Sequence, residues 1–174
     1  MSDIHWPDKF HELYDKAVQA YKAGNRQPDR FFTGAELGFL HGLGCSAQEI
    51  YDFAEDWHWS EEPSFDTVLL ITAARRDYFL EVQQGQASGK IVPMSDFPAK
   101  DAQLDGIAWL PRIILKAKAK LRGELPSDLM YDCGGDRAFL SQVSVHAADF
   151  LRLVWRNWDD LAAIVRQIRS RSGK

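Results

Sequence analysis

The chain has little cysteine: Cys45 and Cys133 are the only two among its 174 residues. This scarcity excludes a disulfide-stabilised scaffold and predicts a reducing, cytoplasmic environment. No apolar run approaches the roughly 20 residues of a membrane span, and the opening MSDIHWPDKF lacks the basic and apolar regions of a secretory signal. We therefore expect a soluble cytoplasmic globular protein without a membrane partner.

The chain also lacks the short motifs that identify common active sites. It contains no CxxC or HExxH pair, no glycine-rich phosphate loop and no Ser–His–Asp signature. His41, Cys45 and His58 lie near one another in sequence, but their spacing is not that of zinc ligands. We predict no metal site and no cofactor, and these absences favour a non-enzymatic protein over an enzyme.

Apolar residues recur at helical spacing along almost the whole chain, and no segment has the alternation of a strand. Two capping boxes, Thr33–Glu36 and Ser46–Glu49, predict short helices at about 34–42 and 47–57. The predicted fold class is all-α, with a loop or linker at 86–104. The periodicity predicts the other helices at about 7–23, 64–84, 110–122, 136–142, 147–156 and 158–171.

A weak internal repeat appears when the chain is shifted by 100 residues, which aligns 11–57 with 111–157. We interpret the chain as two similar helical units, 1–85 and 105–174, joined by 86–104 and packed into one compact body. The alternative is that two helical stretches share a period by accident. The identical pairs are Lys16/Lys116, Ala17/Ala117, Gly34/Gly134, Phe39/Phe139, Leu40/Leu140 and Ala47/Ala147.

Charge is distributed unevenly between the two halves. Residues 1–87 hold 7 basic and 15 acidic side chains (7 − 15 = −8), and residues 88–174 hold 14 basic and 10 acidic ones (14 − 10 = +4). This asymmetry is compatible with halves that attract each other, with copies that associate, or with a basic half that meets an anionic partner.

The segment from Leu104 to Val165 carries a recognisable run of residues. They are Gly106, Leu110-Pro111-Arg112, Lys116-Ala117-Lys118-Ala119, Leu121, Gly123, Tyr131, Cys133, Asp136-Arg137, Phe139-Leu140 and Asp159-Asp160. This run resembles an uncharacterised bacterial family, catalogued as domain of unknown function 5069. The resemblance implies bacterial relatives and a helical core, and it implies no reaction. The chain departs from the family pattern at Leu115, at Lys118 and at Gly134-Gly135.

The cluster most like a catalytic motif is Tyr131, Cys133, Asp136 and Arg137. A cysteine just before a helix can have its thiolate stabilised by the helix dipole, with Arg137 beside it. His146 is the only histidine of this half that can act as its base. The structural alternative makes Cys133 a small core residue and Asp136 a helix N-cap, with Tyr131 packed inside.

Two groups of cations are candidate anion sites. Arg112, Lys116, Lys118, Lys120 and Arg122 form an acid-free basic run, to which Trp109 can add base stacking. The alternative is a solvated face, or a face docked on the acidic half. Arg75-Arg76 can grip a carboxylate or phosphate, or pair with local acids.

The sequence favours a non-enzymatic protein-interaction or regulatory module that binds a protein partner or itself. Tryptophans at Trp57, Trp59, Trp155 and Trp158 are interpreted mainly as packing residues, with an exposed binding surface as the alternative. A second reading is a small-ligand binder or enzyme using a cleft between the units, with the residues Cys133, Arg137, Lys116 and Arg75. A third is weak nucleic-acid or phosphate binding through the 112–122 helix, against which the net charge of −4 counts.

Overall fold

The computed structural model describes residues 5–172, and this part of the chain is mostly helical, as predicted. Contacts divide the chain into two units, Met1–Gly85 and Gln86–Lys174. Within the described residues the helices are α1 (Trp6–Lys22), α2 (Gly34–Gly42), α3 (Ala47–Ser60), α4 (Phe65–Glu81), α5 (Leu110–Arg122), α6 (Gly134–Gln142), α7 (Ala147–Arg156) and α8 (Leu161–Ser172). Two short 3-10 helices lie at Pro28–Arg30 and Met94–Asp96.

The sequence did not predict the single β-hairpin found in this part of the chain. Strands β1 (Gln103–Leu104) and β2 (Ile107–Ala108) pair antiparallel, with Gln103 opposite Ala108. Each strand has two residues, which is too short to carry a recognisable alternation of apolar and polar side chains.

In the first unit, α1 packs against α3 and α4. Pro7 occupies its first turn, where the missing N–H costs nothing, and Gly24 follows its end with a φ of 89°. The apolar spacing of α1 predicts Ala20 on the inward face together with Phe10, Leu13, Ala17 and Tyr21, but Ala20 is only half-buried. The buried side chains of α1 are Phe10, Leu13, Tyr14, Ala17, Val18 and Tyr21.

Both predicted capping boxes are present at the starts of α2 and α3. The turn between these helices approaches α4 closely at Gly44, whose φ is 76°. A Cβ added at Gly44 would lie 2.7 Å from Phe79 Cγ and 3.0 Å from Arg75 Cζ. This position therefore requires glycine for both its backbone conformation and its packing.

The apolar spacing of α4 predicts an inward face of Phe65, Leu69, Thr72, Ala73, Phe79 and Val82, and this prediction was partly wrong. Leu69 and Ala73 are half-buried, and Val82 is 50% exposed. Because α4 is apolar around most of its circumference, periodicity does not define which face is inward. The side chains that are buried are Val68, Ile71, Thr72, Ala74, Arg75, Tyr78 and Phe79.

In the second unit, the segment before β1 contains the 3-10 helix Met94–Asp96 and packs against α5 and the turn after it. Val92 N donates to Glu124 O at 2.9 Å, Arg112 Nη1 donates to Pro98 O at 2.7 Å, and Phe97 is buried. Helix α5 runs unbroken from Leu110 with Pro111 in its first turn, and it packs against α7.

The apolar spacing of α5 predicts an inward face of Leu110, Ile114, Ala117 and Leu121. All four residues are buried, so this prediction is confirmed.

Candidate functional site

The loop before α6 positions the cysteine of the second unit. Asp132 has a φ of 66°, which turns the chain so that Cys133 becomes the N-cap residue of α6. This helix begins at Gly134, two residues before the predicted start at Asp136. The expectation that Asp136 is the N-cap was therefore wrong. It lies in the first turn, where a carboxylate is favoured by the helix dipole.

Asp136 is completely buried, yet its carboxylate is well supplied with donors. Trp109 Nε1 donates to its Oδ1 at 2.9 Å, and the Asp132 backbone N donates to its Oδ2 at 3.0 Å. Lys116 Nζ forms a salt bridge with the same Oδ2. Because a buried charge is tolerated only with a partner and hydrogen bonds, these contacts explain how the carboxylate is accommodated.

The ammonium group of Lys116 also reaches the cysteine. Lys116 Nζ lies 3.3 Å from Cys133 Sγ, while its side chain is 1% exposed. Cys133 is half-buried, so solvent reaches this residue, whereas Lys116 is almost completely shielded from solvent. We call Trp109, Lys116, Cys133 and Asp136 the Cys133 cluster.

Arg137 and His146, the expected supports of the thiol, both bind backbone groups. Arg137 Nη1 donates to the carbonyl oxygen of Asp132 at 2.6 Å, which holds the loop before α6. His146 is the N-cap residue of α7, and its Nδ1 accepts a hydrogen bond from Ala148 N at 3.2 Å. Lys116, which the sequence placed both in the basic run and in the cleft with Cys133, contacts the sulfur.

Tyr131 is a packing residue of the same region. Its hydroxyl donates to the carbonyl oxygen of Ala147 at 2.8 Å, which ties the loop before α6 to the start of α7. Burial raises the pKa of Tyr131 well above its ordinary value, and the charges of Asp132 and Asp136 raise it further. The phenol therefore remains a neutral hydrogen-bond donor.

Trp109 belongs to the Cys133 cluster, although the sequence suggested a role in base stacking. A Cβ at Gly135 would lie 2.6 Å from the Trp109 ring, so the absence of a side chain there makes room for the indole. The Gly134-Gly135 pair is where the chain departs from the family pattern. A glycine allows a neighbouring ring to approach the backbone closely, so this pair is the feature of the sequence that could have indicated the contact between Trp109 and the start of α6.

The basic run on α5 does not form one exposed surface. Lys116 and Lys120 are 0% and 2% exposed, so two of its five cations lie inside. Lys118 Nζ lies 5.1 Å and Arg122 Cζ 4.6 Å from the centre of the Trp158 ring, at cation–π distance. A phosphate site along α5 would lack the two buried lysines.

The double arginine lies on α4 in the first unit. Arg75 is 1% exposed and its Nη1 donates to Gln83 Oε1 at 2.8 Å. The Arg76 guanidinium lies 5.4 Å from the centre of the Trp6 ring and 4.0 Å from Asp77 Oδ1. Arg75 thus belongs to a different unit from Cys133, and the cleft expected to join them stays a prediction.

An aromatic group at the end of α3 forms a distinct surface of the first unit. Trp59 is 74% exposed, which contradicts its interpretation as a packing residue. Its Nε1 donates to the Tyr21 hydroxyl at 3.1 Å, and that hydroxyl donates to Glu55 Oε1 at 2.9 Å. Two cations lie over neighbouring rings: Lys22 Nζ is 4.8 Å from the centre of the Trp57 ring, and Arg26 Cζ is 3.6 Å from the centre of the Tyr21 ring. We call the set Lys22, Arg26, Trp57, His58 and Trp59 the Trp59 surface.

Among residues 5–172, no group of three or more His, Cys, Asp or Glu side chains is arranged to hold a metal. A cavity of about 430 Å³ is lined by Gln142, Ser144, Ser170, Arg171 and Ser172, none of which belongs to the Cys133 cluster. None of the helices described here combines the length and apolar character needed to cross a bilayer.

No protein-family model, curated protein or solved structure matches this chain. The resemblance of segment 104–165 to domain of unknown function 5069 accordingly stays a prediction. A functional proposal for this chain therefore depends on its own geometry.

Proposed function

We propose that this protein is a non-enzymatic protein-interaction module made of two copies of one helical unit. Two ion pairs support the duplication. Lys16 on α1 pairs with Glu36 on α2, and Lys116 on α5 pairs with Asp136 on α6. The partners are 20 residues apart in both pairs, and the pairs are related by the shift of 100 residues.

The turns that follow α2 and α6 give further support for the duplication. Gly44 and Ser144 both have positive φ, at 76° and 53°. Cys45 N donates to Leu40 O at 3.0 Å, and the equivalent bond joins Val145 N to Leu140 O at 3.0 Å. Helices α2 and α6 also have equivalent bounds, 34–42 and 134–142.

The proposed interaction role depends on one observation: the residue Trp59 is 74% exposed to solvent. Tryptophan is the residue most enriched at the energetic centres of protein interfaces. The hydrogen bond from Trp59 Nε1 to Tyr21 restrains the indole before any partner binds. This restraint lowers the entropy lost on association.

Charge indicates which partner would fit the Trp59 surface. The cations of the Trp59 surface, Lys22 and Arg26, lie over the rings of Trp57 and Tyr21, so their charges are directed at the surface's own aromatic groups. The surrounding charge is acidic: residues 1–87 carry eight more acidic than basic side chains (15 − 7 = 8), and Glu61 and Glu62 follow directly after α3. A complementary partner would offer an apolar pocket for the indole and lysine or arginine around it. The partner we propose is therefore a protein with a basic rim around an apolar pocket.

A site-specific crosslinking experiment tests this proposal. A photoreactive benzophenone amino acid is placed at position 58, where the exposed His58 of the Trp59 surface is replaced and Trp59 is retained, and a matched variant carries it at Ile91, an exposed apolar residue of the second unit. We expect a discrete crosslinked protein from position 58 and none from position 91. Trp59→Ala should weaken binding of that protein by at least about thirtyfold, as for an interface hot spot.

Two results would refute the interaction role. One is a folded position-58 variant that crosslinks to nothing. The other is a crosslinked protein whose affinity is the same for Trp59→Ala as for the parent chain. Crosslinking to a second copy of the chain would identify self-association as the interaction.

A second candidate function is small-ligand or nucleophilic chemistry at Cys133. The observation that favours it is the 3.3 Å distance between Lys116 Nζ and Cys133 Sγ. Alkylation with iodoacetamide tests it, because Cys45 is buried and serves as an internal reference in the same sample. We expect Cys133 to react faster than a small free thiol at neutral pH, and a slower reaction would exclude this candidate.

A further inference from the structure

We propose that the pair Cys133–Lys116 is an oxidative modification site, at which a hydroperoxide joins the two side chains through a covalent S–N bond. The proposal concerns the second unit and does not depend on the interaction role of the first. It follows from the placement of a partly accessible sulfur beside a buried amine.

The geometry of the Cys133 cluster suits this reaction. The sulfur and nitrogen are 3.3 Å apart, on side chains that α5 and the start of α6 hold in place. Cys133 is half-buried, so a small oxidant can approach it, whereas Lys116 is completely buried and has little freedom to turn away. Its salt bridge with Asp136 restrains the amine further.

The reaction has two steps, and its atoms and electrons balance. In the first, the Cys133 sulfur attacks one oxygen of hydrogen peroxide, the O–O bond breaks, and sulfenic acid and water form. In the second, Lys116 transfers a proton to the Asp136 carboxylate and its nitrogen attacks the sulfenic sulfur. The S–N bond forms, the S–O bond breaks, and the hydroxyl leaves as water with the proton from Asp136. The nitrogen then loses its second proton to solvent, which leaves a neutral S–NH link and the Asp136 carboxylate. Peroxide is reduced to two water molecules, and the two side chains together lose two hydrogen atoms.

The amine is the nucleophile that the structure places beside the oxidised sulfur. A sulfenic acid condenses with a thiol to a disulfide or with a nitrogen to a sulfenamide. Cys133 is the only cysteine of residues 86–174, so its own unit offers no second thiol. Two equivalents of a thiol reductant reverse the bond, returning the cysteine and the amine and forming one disulfide of the reductant.

The link would also change the electrostatics of the interior. Lys116 would lose its positive charge, and Asp136 would lose the salt bridge that now balances its carboxylate. A buried carboxylate without a cation is strongly unfavourable. We expect oxidation to loosen the start of α6, and reduction to restore it.

Peptide mass spectrometry of the full chain tests the proposal. The protein is treated with hydrogen peroxide, unfolded and digested, with and without a thiol reductant. The expected product joins the peptide of Cys133 to that of Lys116, with a mass lower than their sum by two hydrogen atoms. It disappears on reduction. Cys45 is buried and should remain unmodified in the same digest.

Three variants make the result specific. Lys118→Gln removes a lysine from the same helix that lies against Trp158, and this variant should retain the link. Lys116→Met should lose the link, and a dimedone adduct should appear on Cys133 in its place. Because a lone Asp136 carboxylate can unfold that variant, Lys116→Met combined with Asp136→Leu removes both charges and should give the same result.

Each other outcome overturns the proposal. Oxidation of Cys133 only to sulfinic or sulfonic acid would show that the amine does not capture the intermediate. A link to any other lysine, or a disulfide with Cys45, would show that the 3.3 Å contact does not direct the reaction. An S–N link from Cys133 to another residue in either Lys116 variant would have the same meaning.

Discussion

The two ion pairs Lys16–Glu36 and Lys116–Asp136 lie 100 residues apart in sequence and in very different surroundings. In the first unit the two side chains are 42% and 23% exposed, and in the second they are 1% and 0% exposed. A lysine–carboxylate pair with a spacing of 20 residues therefore lies at the surface in one unit and in the core of the other. The comparison shows that the neighbouring residues, and not the pair itself, decide whether such charges are buried.

The residues around each acid explain the difference. Glu36 accepts a hydrogen bond from Thr33 N at 2.6 Å, and Thr33 Oγ1 accepts one from Glu36 N at 3.4 Å, which completes a capping box. Cys133, the N-cap residue of α6, makes no side-chain cap bond. The shorter side chain of Asp136 accepts from Trp109 and from the Asp132 backbone instead.

The largest expected effect separates the two acids directly. Asp136→Asn should destabilise the second unit by about 3–5 kcal/mol, because Lys116 becomes a buried charge without a counter-charge. Glu36→Gln, the matched change at the surface, should cost less than about 1 kcal/mol. Hydrogen exchange followed by mass spectrometry measures these changes, because its peptides report each unit separately.

The variant Lys116→Met with Asp136→Leu is the control for this prediction. Replacing both charges with apolar side chains should cost less than Asp136→Asn, because no charge is left without its partner, and the remaining cost comes from the donors Trp109 Nε1 and Asp132 N, which lose their acceptor. Equal costs for Asp136→Asn and Glu36→Gln would contradict the contrast in burial on which the comparison depends.

A smaller effect is expected from the turns after α2 and α6. Gly44→Ala should cost about 2–4 kcal/mol, because alanine has to adopt left-handed φ and its Cβ overlaps the Phe79 ring. Ser144 already has positive φ with a side chain and is exposed, so Ser144→Ala should change stability by less than about 0.5 kcal/mol. Urea denaturation of the two variants measures the difference, and similar midpoints would contradict it.

Local rules of sequence predicted much of the fold. The capping boxes at Thr33 and Ser46, and glycines after α1 and α5, gave helix bounds close to those of the structure. These signals work because each depends on atoms within three or four residues of the helix end.

The candidate site was less predictable because burial depends on packing between distant segments. Lys116 and Lys120 were expected at the surface, since nothing local indicates that Asp136 lies 20 residues ahead to pair with Lys116. The buried face of α4 was partly mispredicted for a related reason. Apolar residues surround this helix, so their spacing does not define one inward face. The exposure of Trp59 likewise follows from tertiary packing and not from its neighbours in sequence.

The smallest expected effect is the pH dependence of the surface pair. The hydrogen bonds from Lys16 and from the Thr33 backbone lower the pKa of Glu36 from 4.5 to about 2. A carboxyl group whose pKa is lower in the folded state binds its proton more weakly there than in the unfolded chain. Its contribution to stability is therefore complete above pH 4.5 and is lost as the pH falls toward 2.

Glu36→Gln isolates this contribution. Between pH 4.5 and 2 the parent chain should lose more stability in the first unit than the variant does, and above pH 4.5 their difference should stay constant. Because the pair is largely solvated and screened, we expect a modest difference that decreases with added salt. An NMR titration of the Glu36 carboxyl carbon measures the pKa itself. A midpoint near 4.5 would show that the Lys16 contact does not persist in solution, and the first unit would then lack the surface counterpart of the buried pair.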